Sequence, residues 1–499
     1  MIGRSETAVV SIGFRLGAGA LLGIWILASF WLASLEWFSR DDFAFLALVR
    51  SPEAWSWSEL FWPVGERFWP FYRPLAMESY FRLSHAAFGL EAFGYFAVSL
   101  GVHFASGALV YRIARQLGQG SGVAFVVAFL SVSRHPSLDE IFYGSVFHFV
   151  ISVFFVLLAV TAYLDGVERR SRVALCLSAL AQALALLCNE VNVLIPLLAL
   201  SAQWARDPRR FASARSLRAT LTPLLPHAIL IAVYLPIRFG VFAEVQRSPL
   251  YTPFLGEHVA RNAAGNLAFV FQGGTGPWLA ALAVVGWGVL GAAMRADQRG
   301  ALLRRATGLI AWCALAVGPF ALLPYSQVRY GIMLEAPLCL LMGAFLAAGW
   351  NWLGRTHWGR AEALALAVCL VSLPRVTFGE RMEEPRGVYA LRLLDCIEGH
   401  PDVLEKGGRV VVLYGAQDLA SQATTTRYRI LVYNLTVVAA VHPEVPLSLR
   451  FHDLSRRSER SVIRPGSVYL ELRPDLSVHP AQQSLLDREL DRGGPEGGW

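Results

Sequence analysis

Two neighbouring carboxylates, Asp41 and Asp42, directly follow the first long apolar stretch of the chain. Adjacent acids can share general-base chemistry, because one can orient a hydroxyl group or a metal ion while the other accepts a proton. The alternative interpretation is a polar cap that ends an apolar helix at an interface. No feature of the sequence distinguishes clearly between the two acids as the base. Our working choice is Asp42.

Two arginines beside tyrosines are candidates for binding an anion, Arg73 after Tyr72 and Arg329 before Tyr330. A guanidinium group matches the oxygens of a phosphate geometrically, so both pairs predict a phosphate-binding role. The alternative for Arg73 is an interfacial anchor, since the segment that contains it is rich in tryptophan.

Further acids and histidines lie between apolar runs. His135, Asp139 and Glu140 fall within six residues and could hold a divalent cation, Mg²⁺ or Mn²⁺, although their spacing matches no strong metal signature. Asn189 and Glu190 separate two apolar runs. An acid at membrane depth is costly and suggests either function or a paired structural role, and a hairpin turn is the simpler explanation.

Composition shows which elements must position these residues. The chain has 499 residues, 55% hydrophobic and 16% charged, whereas soluble domains carry about 25% charged residues. A helix needs about 20 apolar residues to cross a bilayer. This rule predicts a polytopic α-helical membrane protein with eleven spans, at 16–38, 92–112, 121–134, 142–164, 173–189, 191–205, 219–239, 277–294, 306–324, 330–350 and 361–375.

The net charge of +7 does not indicate nucleic-acid binding, because the arginines sit in short clusters between apolar runs. That distribution is typical of cytoplasmic loops and places the N-terminus in the cytoplasm. With eleven spans, the C-terminus lies outside. We therefore expect an integral protein of a bacterial inner or cell membrane, with the candidate residues at its outer face.

The chain divides into three parts by composition. Residues 1–375 form the membrane domain, whose long outer loop 39–91 carries interfacial helices. Residues 376–490 are mixed polar and apolar, and they predict a small extracytoplasmic α/β domain with strands at 408–414, 428–433 and 467–472 and a helix at 386–405. Residues 491–499 are rich in Gly and Pro and are predicted to be a disordered tail.

The order of these pieces resembles the GT-C superfamily of polyprenyl-phosphate-dependent glycosyltransferases, in particular its protein O-mannosyltransferase-like members. The match covers residues 1–205 well and 306–350 loosely. It departs from the superfamily at Asn189, where many relatives have lysine. The matching elements are Asp41 and Asp42, Tyr72 to Leu75, His103 in the stretch 94–112, His135 and Pro136 with Glu140, Asn189 and Glu190 with Pro196, and Arg329 with Tyr330.

The resemblance implies transfer of a sugar from a polyprenyl-phosphate donor to a glycan, lipid or protein acceptor outside the cytoplasm, by a single inverting displacement. Asp41 or Asp42 would be the base, and Arg73 and Arg329 would balance the leaving phosphate. Tyr72, His103, Glu190 and Tyr330 would contact substrates, and His135, Asp139 and Glu140 would position a substrate or a cation.

Three other interpretations remain open from the sequence. A transporter or lipid flippase usually places charges near the bilayer midplane and shows inverted repeats. Here the charges cluster at one face and no repeat is visible. A polysaccharide polymerase or ligase would share much of the chemistry. A non-catalytic scaffold would tolerate substitution of Asp41, Asp42 and Glu190.

Overall fold

The structure, a computed structural model, is described for residues 3–39, 41–50, 72–133, 141–238, 255–270, 296–324 and 328–353, for Leu394 and Gly399, and for four strands near the C-terminus. Within these ranges the chain is mainly helical. The helices are α1 Gly3–Ala33, α2 Asp42–Arg50, α3 Glu78–Phe88, α4 Ala92–Gln116, α5 Ser121–Val132, α6 Phe147–Arg169, α7 Arg172–Leu186, α8 Ile195–Arg206, α9 Ala214–Leu221, α10 Leu225–Pro236, α11 His258–Val270, α12 Ala296–Ala321 and α13 Ile332–Leu353.

Five helical segments are long and apolar enough to cross a membrane, which supports an integral membrane protein. They are Leu16–Ala33, Ala92–Gln116, Gly144–Arg169, Ala214–Pro236 and Arg299–Ala321. The helices α5, α7 and α13 contain shorter apolar segments. The predicted spans 277–294 and 361–375 lie outside the described residues, so the count of eleven spans stays a prediction.

Local sequence explains where several of these helices begin and end. Ser171 caps α7 by accepting a hydrogen bond from the backbone NH of Ala174, which satisfies a donor that the helix itself cannot pair. Arg170, at the end of α6, adopts a left-handed conformation with φ 54°, which reverses the chain between α6 and α7. Pro196 sits in the first turn of α8, where its missing NH costs nothing.

The bundle is built around α6, because 72% of its membrane-crossing segment is buried in the protein, against 33% for α1 and 22% for the segment that contains α10. Apolar side chains of α4, α5, α6, α8, α12 and α13 form one continuous core. The segment with α10 lies at the edge of the bundle, where most of its side chains face outward.

Ion pairs link the arginine-rich ends of three helices. Arg112 of α4 contacts Asp165 of α6, and Arg206 of α8 contacts Glu168 of α6. The described candidate residues other than His103 lie at the opposite end of the bundle, where α1 and α7 end and α4 and α6 begin. The separation of arginine clusters from candidate residues that the sequence predicted is therefore present in the described helices. Which end faces the cytoplasm stays a prediction.

Four strands near the C-terminus form one sheet in the order β2-β1-β3-β4, with β1 Arg409–Tyr414, β2 Ser448–Asp453, β3 Ser467–Leu472 and β4 Val478–Pro480. β1 pairs with β2 and β3 in parallel, and β4 runs antiparallel to β3. The predicted strands at 408–414 and 467–472 are confirmed, and β2 and β4 were not predicted. The predicted strand 428–433 and all of helix 386–405 except Leu394 lie outside the described residues, so the α/β domain at 376–490 stays a prediction.

Candidate active site

Asp42 is fully buried and joins the end of α1 to the beginning of α6. Its Oδ1 accepts hydrogen bonds from the backbone NH and the hydroxyl of Ser145, both at 2.7 Å, and its Oδ2 accepts from the backbone NH of Ser39 at 3.2 Å. Burial raises the pKa of Asp42 to about 6 from its usual 3.8, although the hydrogen bonds from Ser145 and Ser39 oppose this rise. Because Asp42 is completely buried and accepts from three donors, its side chain has a structural role, which is to connect the end of α1 to the beginning of α6.

Asp41 has a different environment. It is 8% exposed, whereas Asp42 is 0% exposed, and its Oδ2 accepts a 2.7 Å hydrogen bond from the hydroxyl of Tyr143. A tyrosine hydroxyl that donates to a carboxylate fixes the orientation of that carboxylate and stabilises its charge. Of the two acids, Asp41 is therefore better placed to receive a proton from a substrate.

A tight turn brings both acids against the beginning of α6. The 3₁₀ turn Gly144–Val146 precedes α6, and a Cβ atom at Gly144 would lie only 3.1 Å from the Phe81 ring and 3.2 Å from Asp42 Oδ1. A side chain at position 144 would therefore push Phe81 and Asp42 away from this turn. The close approach lets Ser145 donate twice to the same oxygen of Asp42.

Aromatic packing fixes α3 beside the acids. Phe81 stacks on Phe45 of α2 with a centroid distance of 5.0 Å, and Tyr80 stacks on Phe147 of α6 at 3.9 Å. The segment before α3 is pinned at its other end, since the backbone NH of Leu75 donates to the carbonyl of Leu187 at 3.3 Å. A single segment, 72–88, thus extends from the acids to the end of α7.

At the end of α7, Arg73 forms a two-point ion pair with Glu190. The Nη2–Oε1 distance is 2.9 Å and the Nε–Oε2 distance is 3.2 Å. Burial alone would raise the pKa of Glu190, but the charge and hydrogen bonds of Arg73 and the charge of Arg238 together lower it. Glu190 is therefore ionised at neutral pH.

A second cation, Arg238, joins this pair from the end of α10. Its residue exposure is only 5%, and it lies within electrostatic range of Glu190 and Arg73. Among the described residues its Nη1 atom has no hydrogen-bond partner. Two guanidinium groups against one carboxylate leave this cluster with a net positive charge, which suits an anionic ligand. We refer to Arg73, Glu190 and Arg238 as the cationic cluster.

Sequence reasoning missed Tyr143, Ser145 and Arg238. Arg238 had a readable signal, because an arginine inside the predicted span 219–239 is expensive in a membrane and by default suggests function. Tyr143 and Ser145 carried no such signal, since a tyrosine and a serine beside a glycine have no chemistry-specific spacing.

The remaining candidates have varied surroundings. Tyr72 packs with Leu186 and Tyr234 next to the cationic cluster. His103 lies inside α4, where its Nε2 is 3.2 Å from the carbonyl of Val132, and no described contact joins it to the acids. Tyr330 stacks on Phe320 with a centroid distance of 4.4 Å. The side chain of Arg329 lies outside the described residues.

The predicted cation site cannot be compared with the structure, because His135, Asp139 and Glu140 lie outside the described residues. Within the described ranges, no three His, Cys, Asp or Glu side chains form a group that could hold a metal. The oxygens of Asp42 already accept from three donors, which does not fit a shared metal site at Asp41 and Asp42.

No protein-family model and no curated protein matches the chain. Among solved structures, ArnT from Cupriavidus metallidurans bound to undecaprenyl phosphate aligns at 13% identity and a TM-score of 0.48, over 86% of this chain and 89% of ArnT. The archaeal oligosaccharyltransferase AglB from Archaeoglobus fulgidus, in complex with an inhibitory peptide and a dolichol-phosphate, aligns at 13% identity and a TM-score of 0.46, over 79% of this chain and 62% of AglB. At this level of similarity neither structure assigns a role to any residue of this chain.

Proposed function

We propose that the protein transfers a sugar from a polyprenyl-phosphate carrier to an acceptor hydroxyl at one face of the membrane. The observation that carries this proposal is the placement of an oriented carboxylate, Asp41, and a buried cationic cluster at the same end of the helical bundle, joined by segment 72–88. The resemblance of the sequence to GT-C glycosyltransferases supports the same reaction.

Asp41 is the general base in this proposal. It takes the proton of the acceptor hydroxyl while the acceptor oxygen forms a bond to the anomeric carbon and the bond from that carbon to the phosphate oxygen breaks. A single displacement of this kind inverts the configuration at the anomeric carbon. The Tyr143 hydroxyl holds the carboxylate in its reactive orientation.

The cationic cluster acts on the leaving group. A sugar linked to a polyprenyl monophosphate carries one negative charge, and the released polyprenyl phosphate carries up to two. A site with a net positive charge therefore stabilises the products and the transition state more than the bound donor, which is the requirement for catalysis. Arg238 supplies the net positive charge of the cluster, because the charge of Arg73 is balanced by Glu190. Arg73 also holds the Glu190 carboxylate in place through their two hydrogen bonds.

This proposal reverses the preference for Asp42 as the base. Asp42 is buried at the junction of α1 and α6 and accepts from three donors, so a substrate hydroxyl would have to displace those contacts to reach it. Its role in the proposal is to hold the turn that carries Asp41 against α6.

The arginine distribution supports an active end that faces away from the cytoplasm, with the C-terminal strands on the same side. A Mg²⁺ or Mn²⁺ ion at His135, Asp139 and Glu140 stays a prediction, and the proposed reaction does not depend on it.

The direct test is transfer by the purified protein in detergent, with a soluble short-chain polyprenyl-phosphate sugar as donor and a mixture of glycan, lipid and peptide acceptors. Glycosylated product should form with the wild-type protein and form about 10²–10⁴-fold more slowly with Asp41→Asn. Mass spectrometry of surface glycans, lipids and proteins from a deletion strain would identify the acceptor. Movement of the lipid-linked sugar across vesicles without any transfer would favour a flippase and contradict the proposal.

A further inference from the structure

A buried chain of polar side chains connects three helices within the bundle. The Ser178 hydroxyl of α7 donates to the carbonyl of Ala159 in α6 at 2.7 Å, and His227 Nε2 of α10 lies 3.1 Å from Ser178 Oγ. The other ring nitrogen of His227 contacts the side-chain amide of Gln182 in α7. Ser178, Gln182 and His227 are all 0% exposed. We call these three residues the helix clamp.

The donor and acceptor of each hydrogen bond in the helix clamp can be assigned in turn, starting from the Ser178 hydroxyl. The hydroxyl hydrogen of Ser178 is used by Ala159, so Ser178 Oγ accepts from His227 Nε2–H. No carboxylate contacts the His227 ring among the described residues, and an unpaired charge is expensive in an apolar interior, so the ring is neutral. Its Nδ1 therefore accepts. The structure places Gln182 Oε1 at this nitrogen, so a neutral ring requires the opposite orientation of the amide, with its NH₂ group donating to Nδ1, and we assign that orientation. Every polar contact in the clamp then has a donor and an acceptor.

The clamp fixes one parallel register between α7 and α10. Leu186 lies eight residues after Ser178 and Tyr234 lies seven residues after His227, and Leu186 and Tyr234 pack in the same small cluster. Beyond the ends of the two helices, Glu190 lies twelve residues after Ser178, and Arg238 lies eleven residues after His227. At 1.5 Å per residue, Leu186 and Tyr234 both lie roughly 11 Å beyond the clamp. Glu190 and Arg238 follow within four residues of the ends of α7 and α10, so the register of the two helices decides whether they meet.

Helix α10 has few other means of holding this register. Its outward side chains are exposed to the lipid, with Leu225 at 60%, Ile229 at 56% and Val233 at 58%. In a membrane, apolar side chains gain little by contacting another helix instead of lipid, so interhelical hydrogen bonds and close packing decide how helices associate. A slide of one turn would move Arg238 by 5.4 Å and out of range of Glu190.

We propose that Ser178, Gln182 and His227 are positioning residues that set the register of α10 against α7 and thereby bring Arg238 to Glu190 and Arg73. The inference rests on the phosphate-binding role proposed for the cationic cluster. It predicts a group of residues, far from the reacting atoms, whose loss weakens binding of the lipid phosphate.

The test compares His227→Phe, which removes both contacts of the ring, with His227→Gln, which retains an amide donor and acceptor. Trp25→Phe is the matched control, because it removes a buried interhelical hydrogen bond of 3.1 Å to the carbonyl of Val132, away from α7 and α10. Two readouts are measured in detergent. The first is the affinity for a short-chain polyprenyl phosphate. The second is the distance between spin labels on Leu180 and Val233, two lipid-facing positions of α7 and α10, in a cysteine-free background.

We expect His227→Phe to weaken binding of the polyprenyl phosphate roughly 3- to 30-fold and to shift or broaden the spin-label distance distribution. His227→Gln should recover part of both effects, and Trp25→Phe should change neither. An unaltered distance in His227→Phe overturns the clamp, and an altered distance with unaltered binding overturns its positioning role. Absence of transfer by the wild-type protein would overturn the proposed reaction, while both readouts here would still decide the role of the clamp.

Discussion

Arg73 and Glu190, which are 117 residues apart, face each other as a two-point pair with an Nη2–Oε1 distance of 2.9 Å and an Nε–Oε2 distance of 3.2 Å. The side chain of Arg73 is 9% exposed and that of Glu190 is 30% exposed. The pair is neutral as a unit, so the positive charge of the site depends on Arg238. The two arginines therefore have different roles: Arg73 pairs with Glu190, and Arg238 carries the net positive charge of the site.

Replacing Glu190 by Gln should destabilise the protein and make it more responsive to phosphate. The variant leaves Arg73 and Arg238 without their common carboxylate, and loss of hydrogen bonds to a charged partner costs about 1.5–3 kcal/mol. A bound phosphate would replace the missing negative charge. We therefore expect a lower thermal midpoint than wild type and a larger increase on adding a short-chain polyprenyl phosphate. An equal increase in both proteins would show that the ligand does not interact with this cluster.

Arg238→Ala should weaken donor binding with little change in folding. Loss of one charge-assisted hydrogen bond to phosphate corresponds to about 1.5–3 kcal/mol, or roughly 10- to 150-fold in the apparent affinity for a short-chain polyprenyl-phosphate sugar. Arg238→Lys keeps the charge but loses the planar donor group, so it should weaken binding less. Arg215→Ala, at an exposed position in α9, is the control for general loss of positive charge. Unchanged affinity in Arg238→Ala would remove Arg238 from the site.

Asp41→Asn and Asp42→Asn should separate the two acids. Loss of a general base typically removes about 10²–10⁴-fold of rate, so Asp41→Asn should lower turnover by that amount at unchanged donor affinity. Asp42→Asn keeps an oxygen for the two Ser145 donors, and we expect its turnover to stay within about tenfold of wild type. Rates are measured with saturating donor. A larger loss of turnover in Asp42→Asn than in Asp41→Asn would show that Asp42 is the base.

Tyr143→Phe tests whether the hydroxyl orients Asp41. The variant removes one hydrogen bond to a carboxylate and leaves the ring in place, so turnover should fall roughly 10- to 150-fold, matching about 1.5–3 kcal/mol. Donor affinity should not change, because the cationic cluster is intact. The same loss in the Asp41→Asn background should be absent, since the hydroxyl would then have no carboxylate to orient. Additive losses in the double variant would show that Tyr143 acts independently of Asp41.

The sequence predicted the helical bundle well because apolar length is a local property. Each predicted span within the described residues overlaps one or two helices, and the described candidate residues other than His103 gather at the end opposite the arginine clusters. Hydrogen bonding across long separations could not be predicted, and that is what separates Asp41 from Asp42. The choice depends on Tyr143 and Ser145, about one hundred residues away, whose types are common in any loop. The ion pair between Arg73 and Glu190 could not be predicted either, although the sequence marked each of the two residues as a candidate site residue.

The pH dependence of stability should report the buried carboxyl of Asp42. Burial raises its pKa to about 6 in the folded protein, above the usual 3.8. The folded state therefore binds this proton more tightly than the unfolded state, and the resulting stabilisation is complete below about pH 3.8 and lost as the pH rises through about 6. The difference amounts to on the order of 3 kcal/mol, because one pKa unit corresponds to about 1.4 kcal/mol.

Asp42→Asn has no proton to lose, so its thermal midpoint in detergent should fall less than that of wild type between pH 4.5 and pH 7. The window begins at pH 4.5 because the lowered pKa of Glu190 contributes an opposite trend at lower pH. Asp207→Asn is the control, since Asp207 is half-exposed in an ion pair with Arg210 at the other end of the bundle, and it should keep the wild-type slope. Parallel curves for wild type and Asp42→Asn would mean that Asp42 titrates near its usual pKa in the folded protein, and its complete burial against Ser145 would then need another explanation.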